Sequence, residues 1–330
     1  MQPIKTPAAA KRVKWANPFS PVSWEYMRQM RENNSTRKIC DCNPYVEIYR
    51  MRDNVLALYA QNISGAADPW MFLILGSERA MLIDTACGLG DLRALAQELI
   101  GGRELIVVNT HHHSDHAWGN CSFDKIYCHE YLVRYLEMQN EYMWDSVLTA
   151  DGSAWLQFDP ADIVKFKKYE IVGVPDGYTW DLGGGHEVEL IWTGGHAAGH
   201  AAFLDKGDRI LFIGDAWSSN GCYCGMGGSP VDGELGKYMN IETVRDSYRR
   251  LAERLDEYDY VYPSHFVINL ENTIVTDTLE TAEAILKDPD DYDLKFSRGD
   301  SEHFSNVMKK YINGYSSLNY KGGGIYRSCD

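Results

Sequence analysis

Hydrophobic and polar residues alternate in short blocks between residues 45 and 84, as is typical of β-strands. Four β-branched and aromatic runs, "YVEIYRMR", "VLALYAQ", "WMFLILG" and "RAMLIDT", are separated by polar turns, and this pattern predicts strands. From Gly88 to Leu99 the pattern fits an amphipathic helix, which Gly101 and Gly102 would end. The short apolar run "ELIVVNT" that follows predicts a buried strand.

The second half of the chain alternates strand and helix patterns. An aromatic-rich and methionine-rich stretch predicts a helix over 129–158. Apolar runs predict strands at about 186–193 and 209–214, and helical spacing predicts helices at about 241–257 and 273–287. The run "YDYVYPSHF" predicts one further short strand, and the acidic "DPDDYD" a solvated turn. This alternation favours an α/β fold whose functional site lies where the strands end.

Composition and charge narrow the class of protein. The chain has 330 residues, 45 % of them hydrophobic and 24 % charged, with a formal net charge of −15. These values are typical of a globular protein, and the negative charge would repel a phosphate backbone, so nucleic acid is not an expected partner. No apolar run approaches the roughly 18 residues that a membrane span needs, so no membrane association is expected.

The N-terminus and the cysteines bear on location and assembly. The first residues, "MQPIKTPAAAKRVKWANPF", contain basic residues but no apolar core of a secretory signal. The eight cysteines form no regular framework; reduced thiols in a cytoplasmic protein are therefore expected. We interpret the N-terminal segment as an extended arm that packs on the body of the protein or on a second subunit, which would make a homodimer.

The densest chemical signal is the run "THHHSDHAWGN", directly after the apolar strand "ELIVV". In an extended chain, alternate side chains share a face, so His111, His113 and Asp115 can point the same way. His112 then points away and is not expected to be a metal ligand. His116 needs a turn or a helix start to swing back. The run therefore predicts two pairs of metal ligands, His111 with His113 and Asp115 with His116.

Three downstream segments supply further ligand types at strand ends. His196 lies in "WTGGHAAGH", Asp215 in "LFIGDAW" and His265 in "VYPSHF". A fold that gathers these strand ends at one edge would bring five histidines and two carboxylates together. Imidazole and carboxylate are ligands that zinc favours, and seven are too many for one tetrahedral ion. They suit two ions with one carboxylate bridging.

These motifs resemble those of the metallo-β-lactamase-fold hydrolases. The resemblance rests on Asp84 in "LIDT", the H-x-H-x-D-H run at 111–116, His196, Asp215 and His265, which occur in the family's order between about residues 46 and 267. It implies a four-layer αββα sandwich with metals at the edge between two sheets. The bridging aspartate makes the ligand set similar to that of glyoxalase II and the lactonases of the family.

The resemblance also implies a role for each ligand. Carried over, the first metal is bound by His111, His113 and His196, the second by Asp115, His116 and His265, and Asp215 bridges the two. Asp84 and His200 would support the ligands. The remaining histidines have no expected metal role; they are His112, His129, His186 and His303.

The implied activity is hydrolysis of a small-molecule ester, thioester or lactone through a metal-bridging hydroxide. Two divalent ions are expected, zinc first, with manganese or iron as alternatives. Asp115 would handle the proton of the leaving group, and Tyr223, in a loop after Asp215, would donate a hydrogen bond to the oxyanion. Three alternatives stay open: a phosphodiesterase acting on a small substrate, a mononuclear iron persulfide dioxygenase using His111, His196 and Asp215, and a non-catalytic metal-binding or interaction protein on the same fold.

The resemblance leaves segments that small family members lack. We expect an N-terminal arm over 1–45, a catalytic domain over 46–270 and a C-terminal extension over 271–330 packed on the same domain. Within the catalytic domain, residues 129–180 form an aromatic-rich insert. Its side chains either line a pocket for an apolar part of the substrate or only pack the insert on the core.

Overall fold

The computed structural model describes residues 31–63, 67–145, 147–148, 158–297, 302–312 and 316–327. They divide into two compact units. The first contains the described residues up to Val174 together with Trp180–Glu187, and the second contains Pro175–Thr179 and the described residues from Val188 onwards. The described residues do not include most of the predicted N-terminal arm (residues 1–30), Trp155, Cys329 or the side chain of His303.

The first unit is built on one mixed sheet whose strands lie in sequence order. Pairing is antiparallel from β1 to β5 and parallel from β5 to β8. The strands are β1 Lys38–Cys40, β2 Asn43–Arg50, β3 Val55–Ala60, β4 Trp70–Leu75, β5 Arg79–Ile83, β6 Glu104–Val108, β7 Lys125–His129 and β8 Glu170–Val174. The helices are α1 Leu92–Ile100, α2 Ser114–Ala117 and α3 Val133–Glu137.

Helix α1 makes the crossover between the parallel strands β5 and β6. The Asp91 side chain accepts a hydrogen bond from the Ala94 backbone N–H and so caps the first turn, and Gly101 ends the helix in the left-handed conformation. The helix was predicted from Gly88 but begins at Leu92. Gly88 lies at φ +80°, a turn conformation that an α-helix cannot include.

The helix predicted over 129–158 is wrong in length. Only α3 and a short 3-10 turn, Glu130–Leu132, are helical among the described residues of this stretch. Helix α3 ends at Glu137, and Asn140 forms a turn after it, since its side chain accepts a hydrogen bond from the Tyr142 backbone N–H and donates one to the Met138 carbonyl. The aromatic spacing reflects an irregular packed cluster, in which Trp144 is buried against Cys87 and Leu89, and not one face of a helix.

The second unit contains two sheets. In the larger one, β10, β11 and β12 are antiparallel neighbours, β12 pairs in parallel with β14, and β15 lies beyond it. Its strands are β10 Glu187–Trp192, β11 Ala201–Asp205, β12 Ile210–Gly214, β14 Tyr260–Pro263 and β15 Leu270–Glu271. The smaller sheet has the order β13–β18–β17–β16, formed by β13 Cys222–Tyr223, β16 Leu294–Phe296, β17 Val307–Ile312 and β18 Ser316–Tyr320. Strand β9, Thr179–Asp181, is divided in sequence, with Thr179 in the second unit and its other two residues in the first.

Two helices, α4 Ile241–Ala252 and α5 Thr273–Lys287, pack against each other in the second unit. The side chain of Asn240 caps α4 by accepting from the Thr243 backbone N–H. Helix α5 matches its prediction, whereas α4 ends five residues before the predicted 257. Strands β11 and β16–β18 are among those that were not predicted. Apolar side chains of the C-terminal strands share one core with both helices, among them Met308, Ile312 and Leu318.

The seven described cysteines are free thiols, as predicted. Burial raises the pKa of the Cys87 and Cys222 thiols to about 12 and that of Cys121 to about 11, so these side chains act as small apolar groups. Across the described parts of the chain, every helix is too short or too polar to cross a bilayer.

Candidate metal centre

The histidine run of the first unit follows directly from β6. The chain stays extended only as far as His113, because α2 begins at Ser114. The predicted extended path to Asp115 is therefore wrong, while the helix start needed at His116 is confirmed. Both Asp115 and His116 are buried in the first turn of α2, and the Asp115 Oδ1 lies 3.6 Å from the His116 Nε2.

Asp84 fixes the rings of two histidines. Its carboxylate accepts from the Thr110 backbone N–H at 2.8 Å, from the Thr110 hydroxyl at 2.7 Å and from the His116 Nδ1 at 2.9 Å. The Thr110 hydroxyl gives its proton to Asp84 and so must accept from the His111 Nδ1, 3.0 Å away. Both rings thus carry their proton on Nδ1, and both Nε2 atoms present a lone pair.

The three consecutive histidines separate as predicted. The His111 Nε2 and the His113 Nδ1 lie 3.0 Å apart, so the two rings converge on one point. His112 turns away and stacks on the Tyr135 ring, with centroids 4.3 Å apart and planes 19° from parallel. This arrangement brings the His111 and His113 rings together and sets His112 apart from them, and their roles as metal ligands stay predictions.

The second unit holds its own cluster of His196, Asp215 and His265. The Asp215 Oδ2 lies 3.8 Å from the His196 Nε2 and 3.5 Å from the His265 Nε2. The His196 Nδ1 donates to the Tyr223 carbonyl at 3.1 Å, which again leaves Nε2 with a lone pair. For Tyr223 the structure gives this backbone role, and the oxyanion role of its hydroxyl stays a prediction.

His200 supports the second cluster without being able to join it. Its Nε2 accepts from the Asp215 backbone N–H at 3.1 Å, and its Nδ1 lies 2.7 Å from the Thr193 hydroxyl. Both ring nitrogens are therefore engaged by protein atoms in a fully buried position. His200 fixes the backbone that carries Asp215, in agreement with the supporting role expected for it.

A buried polar network behind α2 was missed by the sequence analysis. The His116 carbonyl accepts from the Thr85 backbone N–H at 2.8 Å and from the Asn109 amide at 3.2 Å. Asn120 joins these two side chains, since it accepts from the Thr85 hydroxyl and donates to the Asn109 Oδ1. The only sequence signal was the polar residue types that follow the apolar ends of β5 and β6.

The insert contributes to the same network. The Tyr169 hydroxyl, whose pKa is raised by burial, accepts from the Asn120 amide at 3.2 Å and donates to the Gln139 Oε1 at 2.7 Å. The Gln139 amide in turn donates to the Ala117 carbonyl at 3.1 Å, at the end of α2. Tyr169 and Gln139, both from the insert, thus hold the helix that carries Asp115 and His116.

Replacing Tyr169 with phenylalanine tests this network. We expect the Tyr169→Phe protein to unfold in urea with a free energy about 1–3 kcal/mol lower than wild type, because the buried Asn120 and the half-buried Gln139 each lose a hydrogen-bond partner. Tyr142→Phe is the matched control, since Tyr142 is 67 % exposed and should change stability by less than about 0.5 kcal/mol. Equal stability of the two variants would contradict the network.

Comparisons with known proteins place the chain in a family. The profile of the metallo-beta-lactamase superfamily matches residues 65–292. The chain is 25 % identical over 218 residues to "Acyl-coenzyme A thioesterase MBLAC2" of Homo sapiens, covering 59 % of this chain and 72 % of that protein. It is 29 % identical over 165 residues to a "Hydroxyacylglutathione hydrolase" of Acidiphilium cryptum (strain JF-5), covering 50 % and 56 %. A solved metallo-beta-lactamase family protein from Thermus thermophilus matches with a TM-score of 0.50 at 19 % identity, covering 72 % of this chain and 82 % of that one.

The chain belongs to the metallo-beta-lactamase superfamily. It is a metal-dependent hydrolase with the α/β fold of that superfamily, as the resemblance of its motifs implied. Divalent metals are the usual cofactors of this class. We treat as proposals the identity and number of the ions, the bond that is hydrolysed and the joining of the two clusters into one site.

Proposed function

We propose that the chain is a dinuclear zinc hydrolase of thioesters. In this proposal the clusters of the two units together bind two ions, with the ligands His111, His113 and His196 for one, Asp115, His116 and His265 for the other, and Asp215 between them. The observation that carries it is the hydrogen-bond acceptor that lies beside one ring nitrogen of three of these histidines. In His111, His116 and His196, a protein acceptor holds the proton on Nδ1, which leaves each Nε2 to a cation.

The spacing of donor atoms inside each cluster suits zinc. Two nitrogen ligands of a tetrahedral zinc ion are about 3.3 Å apart when each bond is about 2.0–2.1 Å. The 3.0 Å between the His111 Nε2 and the His113 Nδ1 is close to this value. The Asp215 Oδ2 is also at ligand-to-ligand distances from the His265 and His196 Nε2 atoms, 3.5 and 3.8 Å. One oxygen facing two imidazoles fits a shared ligand.

Ions held by these residues would lower the pKa of a bound water from that of bulk water towards about 7 and would polarise the substrate carbonyl. The protein's own residues orient and support the site: Asp84 holds the His116 ring, and Tyr223 and His200 fix His196 and Asp215. Asp115 is the carboxylate that we propose as proton carrier. A thiol leaving group has a pKa of only about 8.5, so it makes little demand on a general acid. A thioester therefore suits this arrangement better than an ester of a simple alcohol.

The relatives also support a thioester as the bond that is hydrolysed. Two of them are named for hydrolysis of an acyl group on coenzyme A and on glutathione, and in both molecules the acyl group is attached through sulfur. Trp118 is half-buried and lies beside the buried Trp144 of the insert, with ring centroids 6.2 Å apart, so its exposed part offers apolar surface in the unit that carries the H-x-H-x-D-H run. We propose that the acyl chain contacts this part of the protein.

Metal content and a substrate panel test the proposal together. Protein purified without chelator or histidine tag should contain about two zinc ions per chain. It should hydrolyse acyl-coenzyme A or acylglutathione at least about 10²-fold faster than the matching oxygen ester. One iron per chain with persulfide-dependent oxygen uptake would favour the dioxygenase alternative, and turnover of phosphodiesters alone would favour a phosphodiesterase.

Removing the metal should abolish the reaction. After dialysis against a chelator, thioester hydrolysis should fall by at least about 10³-fold, because water at its ordinary pKa is a poor nucleophile at neutral pH. Adding back two equivalents of zinc should restore the rate, which a thiol-release assay can follow. Hydrolysis that survives complete metal removal would overturn the proposed mechanism.

A further inference from the structure

The loop that carries His196 rests on the segment Cys222–Gly225. The His196 Nδ1 donates to the Tyr223 carbonyl at 3.1 Å. One residue earlier in the loop, the Gly195 carbonyl accepts from the Gly225 backbone N–H at 3.2 Å. Two backbone positions of Cys222–Gly225 therefore set both the position of the loop and the side of the His196 ring that carries the proton.

The other side of Cys222–Gly225 is held by the C-terminal extension. Strand β13 pairs in parallel with β18, with Cys222 opposite Leu318 and Tyr223 opposite Asn319. The Gly225 carbonyl accepts from the Lys321 backbone N–H at 3.0 Å. Strand β18 is buried along its whole length, so this pairing lies in the interior of the unit.

The residues after β18 pack backbone against backbone on the same segment. A Cβ at Gly324 would lie 1.9 Å from the Gly225 carbonyl oxygen and 2.6 Å from the Gly227 nitrogen. Side-chain atoms essentially never approach backbone so closely, so only glycine allows the turn to lie here. The preceding Gly322 and Gly323 have nothing within 4 Å of an added Cβ.

We infer that β18 and its glycine turn, Lys321–Gly324, position His196 for metal binding, with Gly324 as the positioning residue. The C-terminal extension is then part of the support of the metal centre. The chain of contacts runs from Gly324 to Gly225, from Gly225 to Gly195, and from Tyr223 to the His196 ring. The inference rests on the proposed function, in which His196 is a metal ligand.

The test is Gly324→Ala, with Gly323→Ala as the matched control. Both residues lie in the 3-10 turn Gly322–Gly324, and neither has a left-handed φ, so alanine fits the backbone at both and only the contact differs. We expect Gly324→Ala to bind one of two zinc ions about 10–100-fold more weakly, the usual effect of disturbing a residue that orients a ligand. Gly324→Ala should bind the other ion with wild-type affinity. Gly323→Ala should bind both ions with wild-type affinity.

Competition with a chromophoric chelator measures both affinities, and thermal unfolding of the metal-free proteins shows whether each variant is folded. If folded Gly324→Ala binds both ions like wild type, the inference is overturned while the proposed function stands. If wild type itself binds no zinc, the proposed function fails first. Should Gly324→Ala not fold, Leu318→Ala is the variant to test. This substitution opens a cavity beside Cys222 and creates no clash, and it should also lower the affinity for one of the two ions.

Discussion

The His113→Ala protein should lose thioester hydrolysis by at least about 10³-fold while remaining folded. In the proposed site His113 shares one ion with His111, and their facing nitrogens are 3.0 Å apart. Removing one imidazole leaves that ion with one protein ligand fewer, which weakens its binding, so the activation of water is lost. His113 is only half-buried, so its removal should change the free energy of unfolding by no more than about 1 kcal/mol. Elemental analysis should find fewer than two zinc ions per chain.

The neighbouring His112→Ala substitution is the matched control. His112 stacks on Tyr135, so its loss should cost about 0.5–1.5 kcal/mol of stability and should leave zinc content and turnover close to wild type. The two variants differ by one position in a run of three histidines. If His112→Ala loses metal and His113→Ala keeps it, the assignment of the ligands is wrong.

The residues of the two histidine and aspartate clusters could be predicted because they follow apolar strands. Side chains directly after β6, β12 and β14 are placed by the strand ends, and period-two alternation by itself separates His112 from His113. The path of the chain after His113 could not be predicted in the same way. The helix α2 takes over at Ser114, and what holds it is a network of tertiary hydrogen bonds from Thr85, Asn109 and Asn120.

The strands of the C-terminal extension could not be predicted from the sequence. Strands β17 and β18, "VMKKYI" and "SSLNY", carry lysine, serine and asparagine, so a local pattern does not mark them as buried strands. Strand β18 is nonetheless buried along its whole length and β17 in part. Both are placed by pairing, β17 with β18 and β18 with β13, which lies more than 90 residues earlier in the sequence than β18. The tight turn at Gly324 is likewise invisible locally, because Gly322, Gly323 and Gly324 are identical in sequence and differ only in what each one contacts.

The Asp84→Asn substitution should weaken zinc binding about 10–100-fold without unfolding the protein. Asp84 has φ +65°, a conformation that asparagine tolerates well, so the backbone can stay in place. The amide oxygen can still accept from the Thr110 backbone N–H. The amide nitrogen would then face the His116 Nδ1, where two N–H groups oppose each other. His116 must move its proton to Nε2, the atom proposed to bind the ion, or lose the contact.

A chelator competition on metal-free protein should show the larger loss at the ion assigned to Asp115, His116 and His265, because the changed atom contacts His116 directly and reaches His111 only through the Thr110 hydroxyl. It is the other ion that Gly324→Ala should affect, so the two variants together should separate the two affinities. Asp91→Asn is the matched control, because asparagine is as good a helix cap as aspartate and Asp91 lies at the exposed start of α1. Unchanged affinity for both ions in Asp84→Asn would show that the carboxylate does not set the His116 tautomer, and the ring-proton argument for the metal centre would fall with it.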